Sequence, residues 1–185
     1  MADDPHRPII LLGCTNTYQD PKRIEQLQAE REALARLFQD QQPDLTVKVA
    51  DPEQKRYFFD HIRKHWHDPA MQLLHLSGYA AGRYFHFEGG AGEESLTADR
   101  LATVIGRLPG LQLVCLSGCA TTELLEKLLL LDIPAILVAS VEGRERDQLT
   151  AGIETFYQAL AAGVSLRAAF TQLQEADPEH RWGWY

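Results

Sequence analysis

The chain has 185 residues, 45% of them hydrophobic, which describes one globular domain able to bury a sizeable core. Its 18 basic and 26 acidic residues leave a formal net charge of −8, arguing against nucleic acid or an anionic membrane as the main partner. With three cysteines, no basic-then-apolar leader and no apolar run long enough to span a bilayer, the expectation is a cytoplasmic protein in a reducing compartment.

Residues 8–14 (Pro-Ile-Ile-Leu-Leu-Gly-Cys) form a continuous apolar run, the pattern of a strand buried on both faces. Residues 21–40 predict an amphipathic helix with Pro21 near its start and Ile24, Leu27, Leu34, Leu37 and Phe38 on one stripe. Leu45–Val49 reads as a second strand. A helix over 52–66 carries Tyr57, Phe58, Ile62 and Trp66, and Met71–Leu76 reads as a third strand. Arg83–Glu88 alternates and runs into Gly89-Gly90, the pattern of a small hairpin on the rim. A helix over Thr97–Leu108 is ended by Pro109-Gly110. The strand Leu111–Leu116, the helix Thr121–Leu131 and the strand Ala135–Ala139 follow, then helices over Asp147–Ala162 and Ser165–Glu175. The aromatic stretch Arg181-Trp182-Gly183-Trp184-Tyr185 leaves two readings open: it docks on the body, or the chain is cut from a longer protein. Strands alternating with helices imply a mainly parallel sheet covered on both faces, in a single domain over residues 1–185.

In such a sheet, catalytic groups gather beyond the carboxyl ends of the strands. Two stretches end there in small-residue turns, Leu74-His75-Leu76-Ser77-Gly78-Tyr79-Ala80 and Leu113-Val114-Cys115-Leu116-Ser117-Gly118-Cys119-Ala120-Thr121. Cys119 stands just before a predicted helix, whose positive end favours thiolate. Gly118 allows a sharp turn and leaves its amide free for a developing oxyanion, while Ser117, Gly118 and Ala120 leave room for a substrate. Packing of a tight turn accounts for Cys119 equally well. Ser77 and Gly78 shape the neighbouring tip.

The ordered series resembles the caspase-like CHAT family. Its members carry one strand ending in a Gly-His-Gly turn and a later one ending in a turn that holds the nucleophilic cysteine. Ile133–Ser140 resembles the family's next strand, and Phe156–Ser165 with Ala168-Ala169 its closing helices. The resemblance implies a caspase-like three-layer α/β/α sandwich with Cys119 in the nucleophile's position. The catalytic histidine's position is held by Tyr79, and His75 matches only an upstream strand histidine. A phenol with a reference pKa near ~10 is a poor base at neutral pH, whereas imidazole near ~6.5 takes and returns a proton. Losing a positioned general acid–base typically costs about 10²–10⁴ in rate.

Two histidines are weighed as substitutes. His75 lies four residues before position 79, about 13 Å along a strand, and is expected to be buried. His86, on the rim hairpin, is the better outsider, although a packed or solvent-facing role suits it as well. Asp147 falls near an acidic position of the family, and a helix N-cap explains it equally well. His61, His65 and His67 at a helix end suit its dipole and solvent better than zinc, so neither metal nor cofactor is expected.

The expected function is a caspase-fold pseudoprotease that binds or signals in a bacterial regulatory or defence system, with a protein or peptide partner. The alternative is an active cysteine endopeptidase using Cys119 with a non-standard base.

Overall fold

The computed structural model describes residues 8–15, 21–42, 44–49, 62–78, 84–87, 94–139, 146–178 and 182–185. In chain order the elements are β1 (Ile9–Thr15), α1 (Pro21–Gln41), β2 (Thr46–Val49), β3 (Met71–Gly78), β4 (Tyr84–Phe87), β5 (Glu94–Thr97) and α2 (Ala98–Ile105). They continue with β6 (Leu113–Ser117), α3 (Thr122–Leu128), β7 (Ile136–Ala139), α4 (Arg146–Ala161), α5 (Leu166–Ala176) and β8 (Trp182–Trp184).

One sheet runs in the order β5-β4-β1-β3-β6-β7-β8, with β2 also paired to β1. The β1, β2, β3, β6 and β7 pairings are parallel, while β4, β5 and β8 join antiparallel. The central strands are apolar on both faces because helices cover both, the general condition for a parallel sheet. On β3 and β6, Leu74, Leu76, Val114 and Leu116 enter one core, which α2 and α3 close with Leu101, Ile105, Leu124 and Leu128. The alternate positions Leu73, Leu113 and Cys115 enter the second core, closed by Leu34 and Phe38 of α1 and by Ile153, Phe156 and Tyr157 of α4. These layers make an α/β domain with a mainly parallel sheet between two helical faces.

Several boundaries differ from expectation. The expected rim hairpin is β4 paired antiparallel with β5 at one edge of the sheet, and its second strand, Glu94–Thr97, runs up to the residue where the sequence predicts the next helix to start. Thr97 is the N-cap of α2, its hydroxyl accepting from the Arg100 N–H at 3.3 Å. The predicted helix over 52–66 falls largely outside the described residues; within them it keeps residues 62–64 as helix. Helix α4 begins at Arg146, so Asp147 is its second residue and not an N-cap. The aromatic end docks on the body: β8 pairs with β7, and Trp182 is buried with its Nε1–H donating to Asp177 at 3.1 Å. Trp184 stacks on Phe170 with ring centroids 5.0 Å apart.

Candidate functional site

Strands β3 and β6 are direct parallel neighbours, and their last register pair is Ser77 with Ser117. The two strands therefore end side by side at the carboxyl edge of the sheet. Gly118 turns the chain there at φ 73°, a left-handed conformation that suits glycine. Its amide donates to the Ala139 carbonyl at 2.8 Å. The expected free oxyanion donor is thus engaged in extending the β6–β7 ladder.

Cys119 follows directly and is fully buried. Its thiol donates to the Leu76 carbonyl at 3.2 Å, stitching the tip of β6 to the end of β3. A carbonyl oxygen accepts a proton from sulfur but offers nothing to a thiolate, so this arrangement suits the thiol. Helix α3 starts three residues on, where Thr121 caps it and accepts from the Leu124 N–H at 3.1 Å. That first-turn donor is satisfied by the cap rather than by sulfur.

The period-two alternation of β3 separates Cys119 from the histidine. Leu76 and Cys119 belong to the core beneath α2 and α3. The side chains of His75 and Ser77 point to the opposite face, where they meet Glu30 of α1 and Tyr157 of α4. The sheet itself lies between the imidazole and the thiol, so His75 is no base for Cys119.

On that opposite face the residues form a buried polar network. Ser77 Oγ donates to Glu30 Oε1 at 2.5 Å, and His75 Nε2 lies 2.7 Å from Ser77 Oγ and 3.1 Å from Glu30 Oε1. Thr150 of α4 donates to Glu30 Oε2 at 3.1 Å, and His75 Nδ1 lies 2.9 Å from the Tyr157 hydroxyl. Glu30, His75 and Ser77 are each 1% exposed and Tyr157 is fully covered. Burial pushes the Tyr157 phenol well above its ordinary pKa, and contacts with Cys115 and the Glu30 charge push the same way. A phenol held protonated has a proton to donate, which makes Nδ1 the acceptor and leaves Nε2 to carry the imidazole hydrogen toward Glu30 and Ser77. This tautomer gives every member of the network a matched partner.

The contact set contains a serine, a histidine and a carboxylate, but its order is not that of a hydrolase relay. The carboxylate meets the same imidazole nitrogen as the serine instead of orienting the ring from its far side. With Ser77, His75 and Glu30 each 1% exposed, no substrate reaches the serine hydroxyl. The network therefore fixes α1 and α4 on the sheet. Ser77, expected to shape a binding cleft, is one of its members, and Ser117 is buried beside it in the register.

The remaining expected site residues are reached only in part. Tyr79 lies outside the described residues. His86 is placed by its backbone in β4, opposite Ser95 of β5, and β1 and β3 stand between β4 and β6. Three interstrand steps put its strand about 14 Å from β6 in the sheet direction. Asp147 is placed by its backbone as the second residue of α4. Gly78 closes β3 opposite Thr15. Of the three clustered histidines, His65 Nδ1 lies 3.2 Å from Asp68 Oδ2 in the turn before β3, and His67 is exposed.

No protein-family model matches this chain, and no curated protein matches it. The Glu30 network is what reading the sequence misses. Its signal is present in the spacing: Glu30 falls three residues after Leu27 and four before Leu34, inside the apolar stripe of α1. A charged residue on a buried stripe requires partners, and His75 and Ser77 on an otherwise apolar strand are the matching polar residues.

Proposed function

We propose that this chain is a caspase-like module without peptidase turnover that works by binding a protein or peptide partner in a bacterial regulatory or defence setting. The observation that carries the reading is the state of Cys119: fully buried, with its thiol committed to the Leu76 carbonyl. A peptidase nucleophile must reach a scissile carbonyl, ionise, and stand beside an oxyanion donor. Here the sulfur is covered, its partner is a carbonyl oxygen, and the Gly118 amide is bonded to Ala139. Tyr79, at the family's histidine position, adds a chemical reason, since a phenol does not protonate a leaving amine and recover at neutral pH.

The adjacent ends of β3 and β6 support the caspase-like reading, because they bring the two family motifs to one edge of the sheet. The test is cleavage of a mixed peptide library by wild type, Tyr79→His and Cys119→Ala. Wild type is expected to be silent. Cleavage by wild type that disappears in Cys119→Ala would replace this reading with an active endopeptidase.

A further inference from the structure

A cleft of about 180 Å³ lies between α2 and the segment leading into β3. Its lining includes Arg63, Trp66, Leu96, Arg100, Val104 and Arg107. Arg100, Val104 and Arg107 repeat at four- and three-residue spacing along one stripe of α2 and its C-terminal turn, so they share a face. The guanidinium carbons of Arg107 and Arg63 stand 4.6 and 5.7 Å from the Trp66 ring centroid, holding two cations against one aromatic.

The charge pattern of the cleft runs against that of the chain. The protein carries −8, yet among the described residues that line the cleft three are arginines and none is a carboxylate. Neither Arg100 nor Arg107 forms an ion pair with a described residue, although nearby Lys127 and Asp99 pair at 2.7 Å. The Trp66 Nε1–H is buried and has no hydrogen-bond partner among the described residues. Among its described residues the cleft thus presents the Arg100 and Arg107 guanidiniums, together with apolar surface from Leu96, Val104 and the indole.

We infer that this cleft binds a small organic dianion of the phosphomonoester class, with its phosphate between Arg100 and Arg107 and its organic part against Trp66. Planar guanidinium forks match the several equivalent oxygens of a phosphate, and the two cations of Arg100 and Arg107 answer its double charge. The volume accommodates a phosphate bearing one small ring, and the apolar residues give that ring a surface to cover. The inference stands independently of whether Cys119 has any activity.

The experiment is isothermal titration of the full chain with phenyl phosphate, inorganic phosphate, phthalate and phenol at physiological salt. Phenyl phosphate is expected to bind best, inorganic phosphate more weakly, and phenol not at all. Arg100→Ala and Arg107→Ala should each weaken phenyl phosphate by about tenfold or more, the usual consequence of losing one hydrogen bond to a charged group. Arg167→Ala removes the same charge from an exposed site on α5 and should leave affinity unchanged. Each variant is checked for an unaltered thermal transition, and with all three arginines exposed no folding defect is expected. The inference is overturned by absence of phenyl phosphate binding, by phthalate or phenol binding as tightly, or by equal losses in Arg167→Ala and the cleft variants.

Discussion

Glu30 is the residue whose removal tests the buried network most severely. Its carboxylate accepts from Ser77 at 2.5 Å and from Thr150 at 3.1 Å, and faces His75 Nε2 at 3.1 Å. Hydrogen bonds to a charged group are worth roughly 1.5–3 kcal/mol each, so three give about 5–9 kcal/mol before any offset. Removing the carboxylate also ends its own desolvation, which costs several kcal/mol in the native state. What stays behind in Glu30→Ala is the buried Ser77 hydroxyl without its acceptor, while His75 Nε2 keeps Ser77 Oγ and Thr150 is only part-buried. We expect a net loss of about 2–4 kcal/mol, from one unsatisfied buried hydroxyl and the space the side chain vacates, out of a typical total near 5–15 kcal/mol. Glu30→Gln keeps one acceptor oxygen, and the Thr150 hydroxyl can rotate to accept from the new amide, so its cost should be near 1–2 kcal/mol. Urea unfolding followed by circular dichroism measures both, as a shift in midpoint at constant slope. A Glu30→Ala loss below about 1 kcal/mol, or one equal to that of Glu30→Gln, would refute the reasoning.

Tyr157 links the same network to alkaline pH. Its pKa is raised in the folded protein by burial, so the native phenol stays protonated where the unfolded one ionises. The unfolded state then binds fewer protons, and stability falls as pH rises above about 10. Tyr157→Phe should be less stable at neutral pH, through loss of the donor to His75 Nδ1, yet flatter above that point. Parallel slopes for the two proteins in urea midpoints against pH would contradict this. At the margin of the sheet, a Cβ on Gly152 would overlap the indole of Trp182. Gly152→Ala should therefore displace β8 and blue-shifted Trp182 emission should move to the red, with a lower melting temperature; an unchanged spectrum and melt would show that the indole yields without cost.

Much of the fold is legible because apolar periodicity reports burial directly. The apolar runs at Ile9–Leu12 and Leu73–Leu76, the second broken by His75, are central strands, and the stripe of Leu27, Leu34 and Phe38 is the buried face of α1. The short β5 is hidden because Glu94–Thr97 is polar at three of its four positions and is selected by pairing with β4 rather than by its own pattern. The role of Gly118 is legible as a turn but not in its hydrogen bond, since the partner, Ala139, is contributed by β7 through the ladder. The environment of Cys119 escapes sequence reading for a related reason. Whether a cysteine at a strand tip faces solvent or the core depends on the neighbouring strand, and here Leu76 supplies a carbonyl on the core side.

Accessibility of that sulfur is the most direct test of the account. Iodoacetamide alkylation of Cys119 in the native protein at neutral pH, followed peptide by peptide with mass spectrometry, would be compared with the same reaction in urea. The buried thiol predicts a native rate lower by orders of magnitude, with full modification once the chain unfolds. Rapid, stoichiometric alkylation of native Cys119 would contradict it, and would mean that the nucleophile is open and reactive.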